Sequence, residues 1–408
     1  MKSIKYFTEN NVKINLGILI KPNIRNYVLF TMFSAPFIDL LNSLYGNTIP
    51  VGKLTRTCLL LLNLYFMLLH IPNKLRMQNG ILVFVAFYLI IHSLFLDMFF
   101  INGTLTHNFN FSTKLLLFLS EMMLIINSTE RRIIGKADIE MFWKFSCWFV
   151  PASLLGAKIF NITSSYMKTN AGLYSSVNAM SIILIIQFIL SIYYAGQNYK
   201  YWGAVLLNAL ATALLGTKSP YLFIAVVICT LLLFYSKHRL RMLVFILAGF
   251  FLAYFFLGKF FSAEIGAILS YQKSYISSVK NNQNTIWGYL FSGRNVMLQN
   301  TWNEIKAASL SFVAIIFGVG HSTLGGIEMD LFEILLSSGI IVTFLIYMVL
   351  LNSFRWNCTD KNRNLFLNLA LVCMLAFSTL GGHTFLESIA GTYSAILIGY
   401  KYACKGQA

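Results

Sequence analysis

Long apolar runs separated by short polar clusters dominate the chain. The runs do not alternate in the manner of barrel strands, and many reach the about 20 residues that a helix needs to cross the hydrocarbon of a bilayer. Twelve such stretches are read at roughly 27–44, 54–70, 81–101, 112–127, 141–160, 172–195, 201–216, 219–236, 242–261, 328–352, 364–381 and 385–401. Some breaks are sharp, as at Ile71-Pro72-Asn73-Lys74 and at Gly216-Thr217-Lys218-Ser219-Pro220. The pattern predicts an all-α polytopic membrane protein of about twelve transmembrane helices. Residues 1–26 form a basic N-terminal segment, 27–261 hold spans one to nine, 262–327 form one large loop, 328–401 hold spans ten to twelve, and 402–408 form a short tail.

Composition supports this and excludes other classes. Of the 408 residues 57% are hydrophobic and only 11% charged, against about 25% charged in soluble chains. The excess of 31 Lys and Arg over 14 Asp and Glu would suggest nucleic acid in a soluble protein; here it reads as topology-setting charge. With both termini placed in the cytoplasm, the inside segments hold 19 of the 31 basic residues, the outside segments 9 and the spans 3. The N-terminal segment lacks an apolar core before residue 27 and reads as cytoplasmic, not as a signal peptide. The six cysteines lie in or near spans without paired spacing, so neither a disulfide framework nor a zinc site is implied.

Positive charge outside works against orientation, so the outside cations carry the chemical signal. Arg56 opens the second span. Lys218 sits in a tight turn at a helix N-terminus, where a cation and free N–H groups together favour an anion. Arg294 precedes an amphipathic stretch through Trp302 and Ile305 in the large loop. A Gly-rich segment around Gly318, Gly320, Gly325 and Gly326 carries His321 and leads to Glu328, Asp330 and Glu333 at the start of the tenth span. His383 lies in the last outer turn. Cations, carboxylates and histidines converging on the outer face suit an anionic lipid head group, its phosphates paired with Arg and Lys, and a carboxylate or histidine beside it could deprotonate an acceptor hydroxyl.

Several of these stretches, in this order, resemble motifs of the O-antigen polymerase (Wzy) and O-antigen ligase superfamily. They are Gly172-Leu173-Tyr174-Ser175-Ser176-Val177-Asn178, Leu215-Gly216-Thr217-Lys218-Ser219, Ser292-Gly293-Arg294 with Trp302, Gly318-Val319-Gly320 followed by Glu328 through Gly339, and Gly382-His383. The resemblance covers about half the chain. It implies a GT-C-like fold in a Gram-negative inner membrane, with a large periplasmic loop over a lipid-binding cleft and the active site on the periplasmic face. It implies an inverting glycosyl transfer needing neither metal nor cofactor, from undecaprenyl pyrophosphate to the sugar of another lipid-linked repeat unit. A chain-length regulator (Wzz-type) and a flippase (Wzx-type) are the implied partners, with membrane lipids and no nucleic acid. Ligases of the superfamily carry His-Asn where this chain has Glu328-Met329-Asp330, which favours a polymerase.

On this reading Arg294 and Lys218, with Arg56 as a third cation, hold the pyrophosphate. Glu328 is the general base, with His321 and His383 as the alternatives. Asp330 and Asn178 hold the acceptor sugar. Two other readings stay open: a flippase for the same lipid-linked units, and an O-antigen ligase transferring to lipid A-core.

Overall fold

The computed structural model describes residues 2–45, 51–69, 72, 75–99, 105–160, 174, 176–215, 217–234, 294–307, 311–321 and 327–405. In chain order the helices are α1 (Lys2–Tyr45), α2 (Val51–Leu69), α3 (Arg76–Phe99), α4 (Leu105–Glu130), α5 (Lys136–Ile159), α6 (Val177–Ala195), α7 (Tyr201–Leu215), α8 (Lys218–Phe234), α9 (Arg294–Ala307), α10 (Ser311–Phe317), α11 (Asp330–Asn352), α12 (Lys361–Leu380) and α13 (Ser388–Ala403). Among the described residues, six helical segments are long and apolar enough to cross a membrane: Ile24–Tyr45, Arg76–Phe95, His107–Glu130, Val177–Ala195, Asp330–Arg355 and Lys361–Leu380. α7 and α8 hold shorter apolar stretches, Tyr201–Leu215 and Ser219–Leu231. The ninth expected span, 242–261, lies outside the described residues, as does most of the 262–327 loop.

Several expected boundaries move. The basic N-terminal segment is continuous with the first span in one helix, Lys2–Tyr45, which runs through Pro22. The helix at the last expected span, α13, begins at Ser388 rather than 385, since residues 381–387 form a turn that the site uses.

α4 and α6 are the centre of the bundle, with 78% and 83% of their apolar windows buried, against 33% for α3 at the periphery. α13 packs closely on α4 because small residues recur along one face at Gly391, Ala395 and Gly399. A Cβ on Gly399 would lie 2.3 Å from Ile125 Cγ2, and one on Gly391 would lie 3.3 Å from the Phe118 Cβ. Small residues at this spacing let helix backbones approach and gain dispersion contacts. Polar groups inside the bundle find each other: Gln187 Nε2 donates to Ser146 Oγ at 2.6 Å, and Ser146 shares a 2.6 Å hydrogen bond with the Tyr393 hydroxyl.

The two ends of the bundle differ. At one, Arg25 pairs with Asp138 at 2.8 Å, Arg363 Nε donates to the Tyr193 hydroxyl at 2.7 Å, and buried Lys401 donates to Asn364 and Asn368. Topology was the expected role of these cations; the structure also uses them to tie α1, α5, α6, α12 and α13 together. The other end, which carries Asp330, collects the outer-face candidates.

Gly399→Val should lower the unfolding midpoint in detergent, consistent with about 1–3 kcal/mol for forcing extra methyl groups into a packed interface. Gly80→Ala, where a Cβ meets nothing within 4 Å, should leave the midpoint unchanged or raise it.

Candidate functional site

The site is organised around a break in α11. Gly339 has φ 83° and ψ 168°, so the helix is interrupted between Ser338 and Ile340. Non-helical backbone inside an apolar bundle survives only where its polar groups find partners. Here the segment after α10 supplies them: Val319 N donates to the Leu336 carbonyl at 2.8 Å, and Gly320 N donates to the Ser337 carbonyl at 3.1 Å. Both strands of this contact need glycine. Gly318 has φ 83°, and a Cβ there would lie 2.3 Å from the Ser337 carbonyl oxygen; a Cβ on Gly339 would lie 2.0 Å from the Ile316 carbonyl oxygen. The two glycines of the Gly318…Gly339 pattern are therefore neighbours across one contact.

This contact brings His321 to the first turns of α11. Its Nδ1 lies 3.0 Å from Glu333 Oε1, an ion-pair distance without in-line hydrogen-bond geometry, and its ring stacks on Phe111 at 4.9 Å. Glu333 is 2% exposed and Asp330 wholly buried. Asp330 Oδ2 accepts from Thr384 N at 2.6 Å and Phe385 N at 2.7 Å, and Oδ1 lies 3.1 Å from His383 Nδ1. His383 Nδ1 is also 3.7 Å from Glu333 Oε2. Asp330 thus fastens the 381–387 turn onto α11. Acidic residues in a first helical turn also complement its dipole.

These contacts bear on two of the expectations. Both Asp330 oxygens are occupied by protein groups, so Asp330 positions a turn and does not face an acceptor sugar. His383 does not suit the role of a base. Burial by itself would lower its pKa, but the Asp330 hydrogen bond and the charges of Glu333, Asp330 and Glu387 outweigh that and raise it to about 9. His383 is therefore an imidazolium at neutral pH, a cation fixed between two buried carboxylates.

Arg294 and Glu328 lie together. Arg294 opens α9, whose Leu298, Trp302 and Ile305 share a face with it and pack on Ile327, Met329 and Leu336. That packing delivers Arg294 Nη2 to 2.8 Å from Glu328 Oε2. Arg294 is 9% exposed, and its buried Nε has no partner among the described residues. The Glu328 side chain is 48% exposed, and its backbone sits at φ 54°, a left-handed conformation that costs a non-glycine residue about 1–2 kcal/mol. The surrounding packing therefore holds Glu328 at the surface of the site.

Asn178 sits in the first turn of α6, behind the N-cap Ser176, whose Oγ accepts from Ala179 N at 3.3 Å. Its side chain packs against Gly382, beside His383. Lys218 is the first residue of α8, as expected for a helix N-terminus, and its side chain lies outside the described residues. Arg56 Nε donates to the Gly52 carbonyl at 2.6 Å, and Arg56 lines a cavity of about 200 Å³ with Lys53, Lys114 and Glu387. Lys114 is 3.9 Å from Glu387, which links that cavity to the His383 turn. Among the described residues, no three His, Cys, Asp or Glu side chains converge as a metal would require.

Sequence reasoning noted Glu333 as a span opener but assigned it no role. The i, i+3 spacing of Asp330 and Glu333, which puts both on one helix face, was the available signal. Comparison with known proteins returns no matching family model, curated protein or solved structure.

Two outcomes test this geometry. Gly339→Ala and Gly318→Ala should each cost more than about 3 kcal/mol, from positive φ and from overlap with backbone atoms, read as loss of folded protein in detergent. The His383 ion pairs raise its folded-state pKa, so their stabilisation is complete below the ordinary value of 6.5 and is lost as pH rises through about 9. The unfolding midpoint of wild type relative to His383→Gln should fall across that window; a gap that widens with pH would contradict the ion pairing.

Proposed function

We propose that this chain is an O-antigen polymerase of the inner membrane of a Gram-negative bacterium. It moves a growing glycan from undecaprenyl pyrophosphate to the sugar of another lipid-linked repeat unit. The observation that carries this reading is that the Arg294–Glu328 pair and the His383–Asp330 pair both lie at the start of α11, at one end of an apolar helical bundle. A buried guanidinium whose Nε has no partner among the described residues, a histidinium and a half-exposed carboxylate suit a reaction in which a diphosphate leaves as a hydroxyl attacks. The fuller architecture belongs to the proposal: about twelve spans in a GT-C-like arrangement, both termini cytoplasmic, the Asp330 end periplasmic, with Wzz-type and Wzx-type partners.

The acceptor hydroxyl attacks the anomeric carbon of the donor glycan and its proton passes to a Glu328 carboxylate oxygen. The bond from that carbon to the pyrophosphate oxygen breaks on the opposite face, and undecaprenyl pyrophosphate departs with the electron pair, so the configuration inverts. Arg294 and His383 stabilise the charge that develops on the leaving group, with Lys218 and Arg56 as further cations. No metal or cofactor takes part in these steps. Asp330 keeps His383 charged and in place, and Asn178 supports the turn that carries it. His321, at Glu333, is the alternative base.

A flippase for the same lipid-linked units is the second reading. The observation favouring it is Glu121, a buried carboxylate within the His107–Glu130 span, because ionisable groups at membrane depth mark transport pathways in pumps and transporters. Single units that still reach the periplasm in a deletion strain favour the polymerase; their retention on the cytoplasmic side favours the flippase.

Arg294→Ala should lose about 2–4 kcal/mol of transition-state stabilisation, and Arg294→Lys should recover only part of it, since the ammonium lacks the two-pronged fork. Glu328→Gln should lower the rate about 10²–10⁴-fold without affecting insertion. The readout is lipopolysaccharide on a gel, where loss leaves core plus one repeat unit without a ladder. A full ladder from both Arg294→Ala and Glu328→Gln at normal protein level would overturn the assignments.

A further inference from the structure

We infer that the cavity between α1, α2, α4 and α13 is the subsite for a sugar phosphate, with the sugar ring on Glu121 and the phosphate at the mouth. The inference rests on the glycosyl-transfer reading and adds to it where one lipid-linked chain is seated.

The cavity opens at the Asp330 end and has a volume of about 200 Å³. That is below the about 300–1,000 Å³ of sites for drug-sized ligands and is the scale of a single ring. Lys114 and Glu121 both line it. They lie seven residues apart on one face of α4, about 10 Å along the helix axis, so the cavity runs inward from a lysine at its mouth to a carboxylate at its floor. Glu121 is 2% exposed with the Thr392 hydroxyl beside it, and neither of its carboxylate oxygens has a well-formed hydrogen bond among the described residues. Burying a carboxylate without donors costs several kcal/mol, and such an exception calls for an explanation in a ligand or bound water.

The chemistry of the lining narrows the ligand. Thr31 and Thr392 also line the cavity, and each spends its hydroxyl proton on a backbone carbonyl one turn back, Tyr27 at 3.0 Å and Ser388 at 3.0 Å. Both hydroxyls therefore present lone pairs to the cavity, as Glu121 does. The floor accepts hydrogen bonds and calls for a ligand rich in donors, and hydroxyl groups on a sugar ring supply them. Lys53, Arg56 and Lys114 line the outer part of the cavity together with the carboxylates of Asp39 and Glu387, the latter 3.9 Å from Lys114; the cations exceed the carboxylates by one, so an anionic group is favoured there. A donor-rich head and an anionic group at the other end of a cavity about 10 Å deep describe a glycosyl phosphate. A phosphatidylglycerol head group has the same two parts on a shorter span, so it is the competing source.

The test uses the purified full chain in detergent and four probes: glucose 1-phosphate, N-acetylglucosamine 1-phosphate, inorganic phosphate and phosphatidylglycerol. At least one glycosyl phosphate should raise the unfolding midpoint more than inorganic phosphate does. Its affinity should fall at least tenfold in Glu121→Gln and in Thr392→Val, and should be unchanged in Gly80→Ala. Glu121→Gln should remain folded, because an amide of the same shape replaces a buried carboxyl group that has no well-formed hydrogen bond among the described residues. Equal stabilisation by inorganic phosphate and the glycosyl phosphates, stabilisation by phosphatidylglycerol alone, or unchanged affinity in Glu121→Gln would each overturn the subsite. Binding that depends on Glu121 in a protein that makes no polymer would retain the subsite and sink the polymerase. Normal polymer from Glu121→Gln with no glycosyl-phosphate binding would do the reverse.

Discussion

Taking a carboxylate out of water costs several kcal/mol unless donors replace its lost hydration, and this chain buries Asp330, Glu333 and Glu121 inside an apolar bundle. The first two are compensated by groups from distant parts of the sequence. Asp330 draws two backbone N–H groups and a histidine from the 381–387 turn, and Glu333 draws His321 from the segment after α10. Compensation therefore dictates which segments must meet, and the broken helix at Gly339 is the backbone device that lets one of them in. Glu121 has no such compensation within the described residues.

The same electrostatics connects fold to chemistry. Two buried carboxylates hold His383 as a cation, and the packing of α9 on α11 fixes Arg294 next to Glu328. Charges held in place by packing act on developing charge without the reorganisation that water would need. Glycosyl transfer from a pyrophosphate carrier is the proposal that uses all of these groups, with the cations on the departing diphosphate and Glu328 on the attacking hydroxyl.

Hydropathy was enough to predict an all-α membrane protein, because helix length and apolar composition are local properties. The motif residues Asn178, Arg294, Gly318, Gly320, Glu328, Asp330, Gly339, Gly382 and His383 stand out in the sequence, and the bundle brings them towards one end. What each does there was harder to read. Asp330 looked like an acceptor-binding group because its oxygens are polar in the sequence; only the fold shows that Thr384, Phe385 and His383 occupy them. His383 looked like a base because its ordinary pKa is near neutral, and the shift comes from carboxylates more than fifty positions away along the chain. Glu121 was visible as a charge in a span, but only the fold shows that its oxygens have no well-formed hydrogen bond among the described residues.

The most direct test of the account is reconstitution of the purified protein with lipid-linked repeat units, in the presence of a chelator. The account predicts glycan oligomers on undecaprenyl pyrophosphate from wild type and none above background from Glu328→Gln. Failure of folded wild type to form oligomers, or equal oligomer formation by the variant, would contradict it.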